Sequence, residues 1–278
     1  MIIVTGATGV IGRRVTEHLV AHEVAVRATS RTPATVGLPV GVDVVSSATP
    51  ADEVLDGCSA LMIIAPALGE RAEERLAAIV AAANAAGAHR LVHLSTASVT
   101  DPRSATGAHH RCLEAVVEGF SGVGHVLRPV PFAMNTAHWW GPTVRAARFA
   151  EAPYLDVPMV PVDERDVADM AAALLLGTRE PGGPLHVTGP EVLSSRQQLA
   201  VIAGELGTPI DVRPIEPDEV RRRLTAAGVP LPAVDSLLRS FEVAAEHPAR
   251  PTGTAQRVLG RPARDYASWV RDHRSAFT

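Results

Sequence analysis

Lysine is absent from the sequence: all 26 basic side chains among its 278 residues are arginine. No mechanism that needs a lysine ammonium can operate here. Aromatic residues are sparse at 4%, with only two tyrosines, Tyr154 and Tyr266. The two cysteines, Cys58 and Cys112, form no motif and read as reduced, packing thiols rather than nucleophiles. No basic block accompanies the formal net charge of -4, which argues against nucleic acid or an anionic membrane as partner. There is no apolar run of the ~20 residues that spans a bilayer. The first strand begins at Ile2, leaving no room for a signal peptide, so a cytoplasmic protein is expected. No His, Cys and carboxylate cluster has metal-ligand spacing, and no Gly-x-Ser-x-Gly elbow occurs, so no metal is expected.

What is present starts at once. Ile2-Ile3-Val4 is a short apolar strand, and Thr5-Gly6-Ala7-Thr8-Gly9-Val10-Ile11-Gly12 is a glycine-spaced turn running into an amphipathic helix. A dinucleotide pyrophosphate needs that order. Gly6 permits a sharp turn, Gly9 leaves room for phosphate, and Gly12 lets the helix pack closely, while the helix N-terminus offers free N–H groups. Strands over 23–29, 42–45, 60–65, 90–95 and 124–128 then alternate with helices over 69–86 and 104–119. This alternation predicts an α/β fold with a doubly wound parallel sheet and ligands at the carboxyl ends of its strands. Residues 1–130 read as a Rossmann-type dinucleotide-binding domain and 131–278 as a smaller, intimately packed substrate-side lobe. In that second half, 131–161 reads as a loop-bearing region with one helix near 143–149. Further helices are expected at 166–176 and after Ser194-Ser195-Arg196-Gln197, a capping-box pattern, with strands at 185–188 and 210–214 and three closing helices.

The second strand ends in Thr29-Ser30-Arg31-Thr32, where an NAD site usually carries an acidic residue. A carboxylate would repel a ribose 2′-phosphate, whereas Arg31 can pair with one and Ser30 can donate a hydrogen bond. NADP(H) is therefore the expected cofactor. Its predicted contacts are Thr5, Gly6, Thr8, Gly9, Val10, Ile11, Gly12, Ser30, Arg31, Ala65, Pro66 and Ser95.

The chain resembles the atypical short-chain dehydrogenase/reductases of the NmrA-like, NAD(P)-binding family. Matching segments, in order, are Thr5 to Gly12, Ser30-Arg31, Leu94-Ser95-Thr96, Leu127 to Asn135, Val162 to Ala168, His186 to Glu191 and Gly260 to Tyr266. The resemblance implies a Rossmann-type fold. Relatives often use a Tyr-x-x-x-Lys pair on the helix after the fifth strand, in which Lys lowers the Tyr pKa and Tyr protonates a carbonyl oxygen. Counting back from Glu114, those positions fall on Thr106 and His110. The pair is gone.

Thr106, His110 and Glu114 succeed one another by one helical turn, so His110 is a candidate proton donor, charged near neutral pH beside a carboxylate. Ser95 and Tyr154 are further catalytic candidates. Thr96, Phe132, Met134, Asn135, His138, Trp139 and Trp140 read as the wall of a pocket for a small hydrophobic substrate. Asp163 and Asp166 read as helix caps. These features lead to an NAD(P)H-dependent reductase of a quinone, enone, imine or ketone. Two alternatives stay open: a redox sensor of the NmrA type that reports to a protein partner, and an isomerase or lyase using NADP as scaffold or shuttle. A homo-oligomer is compatible with either.

Overall fold

A computed structural model describes residues 1–33, 37–179 and 181–278. Seven parallel strands form the central sheet: β1 (Ile2–Val4), β2 (Val26–Ser30), β3 (Asp43–Ser46), β4 (Ala60–Ile64), β5 (Arg90–Leu94), β6 (Val123–Pro129) and β9 (Leu185–Val187). Their order is β3-β2-β1-β4-β5-β6-β9, so the chain reverses direction across the sheet between β1 and β4. Ligands bind at that reversal, beyond the carboxyl ends of the strands.

The short, continuous apolar strands are explained by helices on both faces. Ile2 and Val4 of β1 and Ala60 and Met62 of β4 face α1 (Val10–Ala21), α6 (Glu164–Leu175) and α10 (Thr254–Leu259). Ile3, Leu61 and Ile63 face the opposite layer of α2 (Ala51–Val54), α3 (Ala72–Ala85) and α4 (Ala105–Val117). Strand alternation with both faces apolar is what a covered parallel sheet requires. A third cluster joins α5 (Met134–Ala147), β7 (Phe149–Ala152), α7 (Ser195–Leu206), β11 (Asp211–Pro214) and α11 (Tyr266–Asp272) around Trp140, Trp269 and Phe277. Two-residue strands β8 (Pro158–Met159) and β10 (Leu193–Ser194) pair beside it. Helices α8 (Pro217–Ala226) and α9 (Leu231–Glu246) lie between β11 and α10 in chain order.

The capping box at the start of α7 is formed, with Ser194 Oγ accepting from Gln197 N and the Gln197 side chain accepting from Ser194 N. Asp163 caps α6 as expected. Asp166 does not cap: it is buried and holds the guanidinium of Arg264. The region read as a loop with one late helix is mostly the helix α5, which passes through Pro142 and runs nine residues earlier than expected, 134 against 143. Four helices, not three, follow β11. Among the described residues no helix is long and apolar enough to cross a membrane.

Candidate active site

The turn after β1 is shaped by two glycines. Gly6 has φ +64, a conformation that side chains disfavour, and a Cβ on Gly12 would stand 2.3 Å from the Gly6 carbonyl oxygen. Thr5 fastens the turn to β4: its Oγ1 donates to Met62 O at 3.1 Å and accepts from Ile64 N at 2.9 Å. Gly9 is the N-cap of α1 and has no side chain to cap it, so among the described residues no capping side chain satisfies the first N–H groups of that helix, and no acidic residue stands in its first turn. Those free donors and the positive end of the helix dipole suit an anion. Val10, an apolar side chain left 47% exposed, lies beside them.

This turn forms one end of a cleft of about 1430 Å³. Its lining runs from Gly6 and Gly9–Gly12 past Pro66, Ser95 and Thr96 to Thr106, His110, Phe132, Met134, Asn135 and His138, and then to His186, Thr188 and the inner face of α9. A pocket for one drug-sized ligand occupies roughly 300–1,000 Å³, so the cleft has room for a dinucleotide with a second molecule next to it. The glycine turn, the uncapped helix and the exposed Val10 fit a dinucleotide phosphate and its flanking ribose.

Most residues read as site residues from the sequence gather here, and several do not. Trp140 is buried in the third core cluster, with its indole N–H donating to Glu151 O at 3.2 Å, and Trp139 packs edge-on against it. Tyr154 stacks on Phe241 and its hydroxyl donates to Glu242 at 3.3 Å. None of the three lines the cleft. Thr5 and Ala65 are buried behind the turn, and Ser30 is buried with its Oγ accepting from Thr32 N. Thr8 and Arg31 are exposed outside the cleft lining, Arg31 just beyond the end of β2. Among the described residues Arg31 has no ion-pair partner, and Arg27, on the same strand, is held by Asp43.

The floor below the middle of the cleft contains a cluster that sequence spacing did not bring out. Glu114, 9% exposed, accepts from Ser95 Oγ at 2.5 Å and from Arg128 Nε at 3.0 Å and Nη2 at 2.5 Å. Burial alone would raise the Glu114 pKa, but the bonds from Arg128 and Ser95 hold it below the usual carboxylate range. The Ser95 hydroxyl thus spends its only proton on an ionised carboxylate. Toward the cleft it can accept a hydrogen bond and cannot act as an acid.

Arg128 pairs in register with His186, another residue lining the cleft. Burial and the neighbouring Arg128 charge lower the His186 pKa. The only sequence signal for Arg128 and His186 was their place in family-like segments.

His110 lines the cleft, but the expectation that it is charged near neutral pH is overturned. Burial and the neighbouring His109 lower its pKa despite Glu114, whose charge is already shared with Arg128 and Ser95. Its Nδ1 is buried with no hydrogen-bond partner among the described residues. Behind it His93, fully buried and with ring centroids 6.2 Å apart, is pushed down to about 4 by burial. Burial thus disfavours the charged imidazolium at His110 and at His186, the two cleft-lining histidines packed nearest Glu114 and Arg128. Among the described residues no group of His, Cys and carboxylates is placed to hold a metal. The Cys58 thiol is buried, and burial raises its pKa to about 11, consistent with packing rather than reactivity.

Residues 6–127 match a family described as NAD(P)H-binding. Over its whole length the chain is 37% identical to a (4-alkanoyl-5-oxo-2,5-dihydrofuran-3-yl)methyl phosphate reductase of Streptomyces griseus, covering 99% of that protein. Among solved structures, the NADPH-dependent quinone oxidoreductase of Escherichia coli complexed with NADPH superposes with a TM-score of 0.83 at 20% identity, covering 98% of this chain and 99% of that one. The triphenylmethane reductase of Citrobacter sp. complexed with NADP(H) gives 0.80 at 18% identity, with 98% and 99% coverage.

Proposed function

The chain belongs to the NAD(P)H-binding family of atypical short-chain dehydrogenase/reductases, and from that premise we propose that it is an NADPH-dependent reductase of an alkene conjugated to two carbonyl groups. The Streptomyces griseus relative is named for such a compound, a furanone phosphate bearing an alkanoyl group. One observation carries the reading: the residues lining the cleft include no tyrosine and no lysine, and burial disfavours the charged imidazolium of His110 and His186. A simple ketone becomes an alkoxide on reduction and needs a strong donor at its oxygen. An alkene with both carbonyls on one of its carbons spreads the added electron pair over both oxygens, so the demand for an acid is small.

The dinucleotide would be held at the Gly6–Gly12 turn, with Arg31 selecting the 2′-phosphate by charge and Ser95 accepting a hydrogen bond from its nicotinamide half. A reduced nicotinamide bound there supplies a hydride. Glu114 and Arg128 fix the Ser95 hydroxyl, and Phe132, Met134 and Val160 give the acceptor an apolar seat. One proton, taken from water, goes to the carbon that bears both carbonyls.

The test is a substrate panel under steady-state conditions with NADPH: an acyl-furanone phosphate, a quinone, and a simple aliphatic ketone. Turnover of the first with no turnover of the ketone is expected. Tight NADPH binding without consumption on any of the three would replace the reductase reading with the sensor.

A further inference from the structure

The face that α9 turns to the cleft is graded in chemistry. Its lining residues follow a helical spacing, with Ala233, Leu237, Val243 and Ala244 as apolar positions among Ser236, Arg239 and Ser240, before it reaches His247 at the helix end and Arg250 just beyond. Three arginines line the cleft: Arg103, Arg239 and Arg250. Two of them are occupied. Arg239 donates to Asp101 at 2.9 Å, Glu242 at 2.8 Å and Glu246 at 3.4 Å, and Arg103 donates to Glu246 at 2.9 Å and stands 3.6 Å from Asp101. That cluster holds one more carboxylate than guanidinium, so it repels an anion. Arg250 has no hydrogen-bond or ion-pair partner among the described residues, which leaves it as the free cation of the cleft.

Its position separates it from the cofactor's phosphates. Thr252, two residues on, donates its Oγ1 to His186 O at 2.8 Å, and its N–H donates to Thr188 Oγ1 at 3.0 Å, fixing this segment at the carboxyl end of β9. Strand β9 is two places from β5, which Ser95 follows, and five from β2, which Arg31 follows. At ~4.8 Å per strand those offsets are ~10 Å and ~24 Å. Arg250 is on the substrate side, beyond the reach of a 2′-phosphate bound at Arg31.

We infer that Arg250, aided by an N–H of His247, binds the terminal phosphate of an acyl-chain-bearing substrate whose apolar part lies along α9. This assignment rests on the reductase reading above and adds to it the residue that selects a phosphorylated substrate over its alcohol. A charge-assisted hydrogen bond to phosphate is worth roughly 10- to 100-fold in affinity.

The experiment is calorimetric titration of octyl phosphate, with 1-octanol as uncharged control, into the NADP+-loaded protein. It needs no turnover, so a failed reductase assay leaves the measurement intact. Octyl phosphate should bind one site per chain, about 10- to 100-fold more weakly to Arg250→Ala, with Arg250→Lys in between. Octanol should bind both proteins alike, and the NADP+ affinity of Arg250→Ala should be unchanged. Equal octyl phosphate affinity in wild type and Arg250→Ala, or no binding to wild type at millimolar ligand, would overturn the assignment. So would a loss of NADP+ affinity in Arg250→Ala, which would give Arg250 to the cofactor. With the furanone phosphate as substrate, the discrimination against its alcohol should collapse in Arg250→Ala through KM.

Discussion

Glutamine at position 114 removes a charge and keeps the shape. The pair it disrupts is mostly out of water, with side-chain exposures of 21% for Arg128 and 11% for Glu114, so the small value of an exposed salt bridge does not apply. Glu114→Gln leaves the guanidinium of Arg128 without its counter-ion and can turn an amide N–H toward it. Breaking a buried pair on one side costs ~3–5 kcal/mol, and the residual exposure of Arg128 places the expectation near the lower end, about 3 kcal/mol. Urea denaturation at pH 7 measures it. The pH dependence has a definite sign. Because the folded-state pKa of Glu114 lies below the ordinary 4.5, its stabilisation is complete above that pH and is lost as pH falls through the folded value. The gap between wild type and variant should therefore shrink on acidification below pH 4.5. Replacing both partners, Glu114→Gln with Arg128→Met, should recover part of the loss. A loss under ~1 kcal/mol at pH 7, or a gap that widens in acid, would refute the reasoning.

Other expectations concern separate parts of the cleft. Arg31→Ala should weaken NADPH about 10- to 100-fold and NADH little, measured by nicotinamide fluorescence titration; equal losses would remove Arg31 from cofactor selection. Gly12→Ala places a methyl against the Gly6 carbonyl, so the turn must open; dinucleotide binding should fail, and stability should fall by ~1–3 kcal/mol. His93 is neutral in the fold down to about pH 4, while an unfolded histidine protonates below 6.5, so the native state should lose ~1.4 kcal/mol per pH unit from this residue across that window. His93→Leu should reduce the acid-side slope of stability by about one proton. An unchanged slope would show that His93 titrates normally in the fold.

Local pattern made the first half of the chain legible. Its strands are apolar on both faces because helices cover both sides of the sheet, and Gly6 and Gly12 announce a turn that few other residues could make. Helix α5 was obscured by its own contents. Pro142 and the adjacent tryptophans suggest a loop or a pocket wall, yet Trp140 serves the core between α5 and β7, a tertiary demand that no local pattern displays. The Ser95, Glu114 and Arg128 cluster was illegible for a related reason. Its members lie 19 and 14 residues apart from Glu114 and meet only because β5 and β6 are neighbours beneath α4. His110 was found by helical spacing, but its charge state depends on burial and on a carboxylate already claimed by Arg128, and neither can be read along the chain. The α9 face shows helical period in sequence. That it looks into the cleft follows from the fold alone.

In the proposed reduction the cleft passes a hydride to the alkene of a doubly activated acceptor without a tyrosine and lysine pair, and deuterium tracing reads where that hydride goes. The protein would be incubated with NADPH deuterated at nicotinamide C4, each face in turn, and with an acyl-furanone phosphate, and the product analysed by mass spectrometry and NMR. A saturated product carrying one deuterium, from one face only, on the ring carbon that bears the phosphate-carrying methylene is expected. Deuterium at a carbinol carbon, or retention of all label in the dinucleotide, would contradict it.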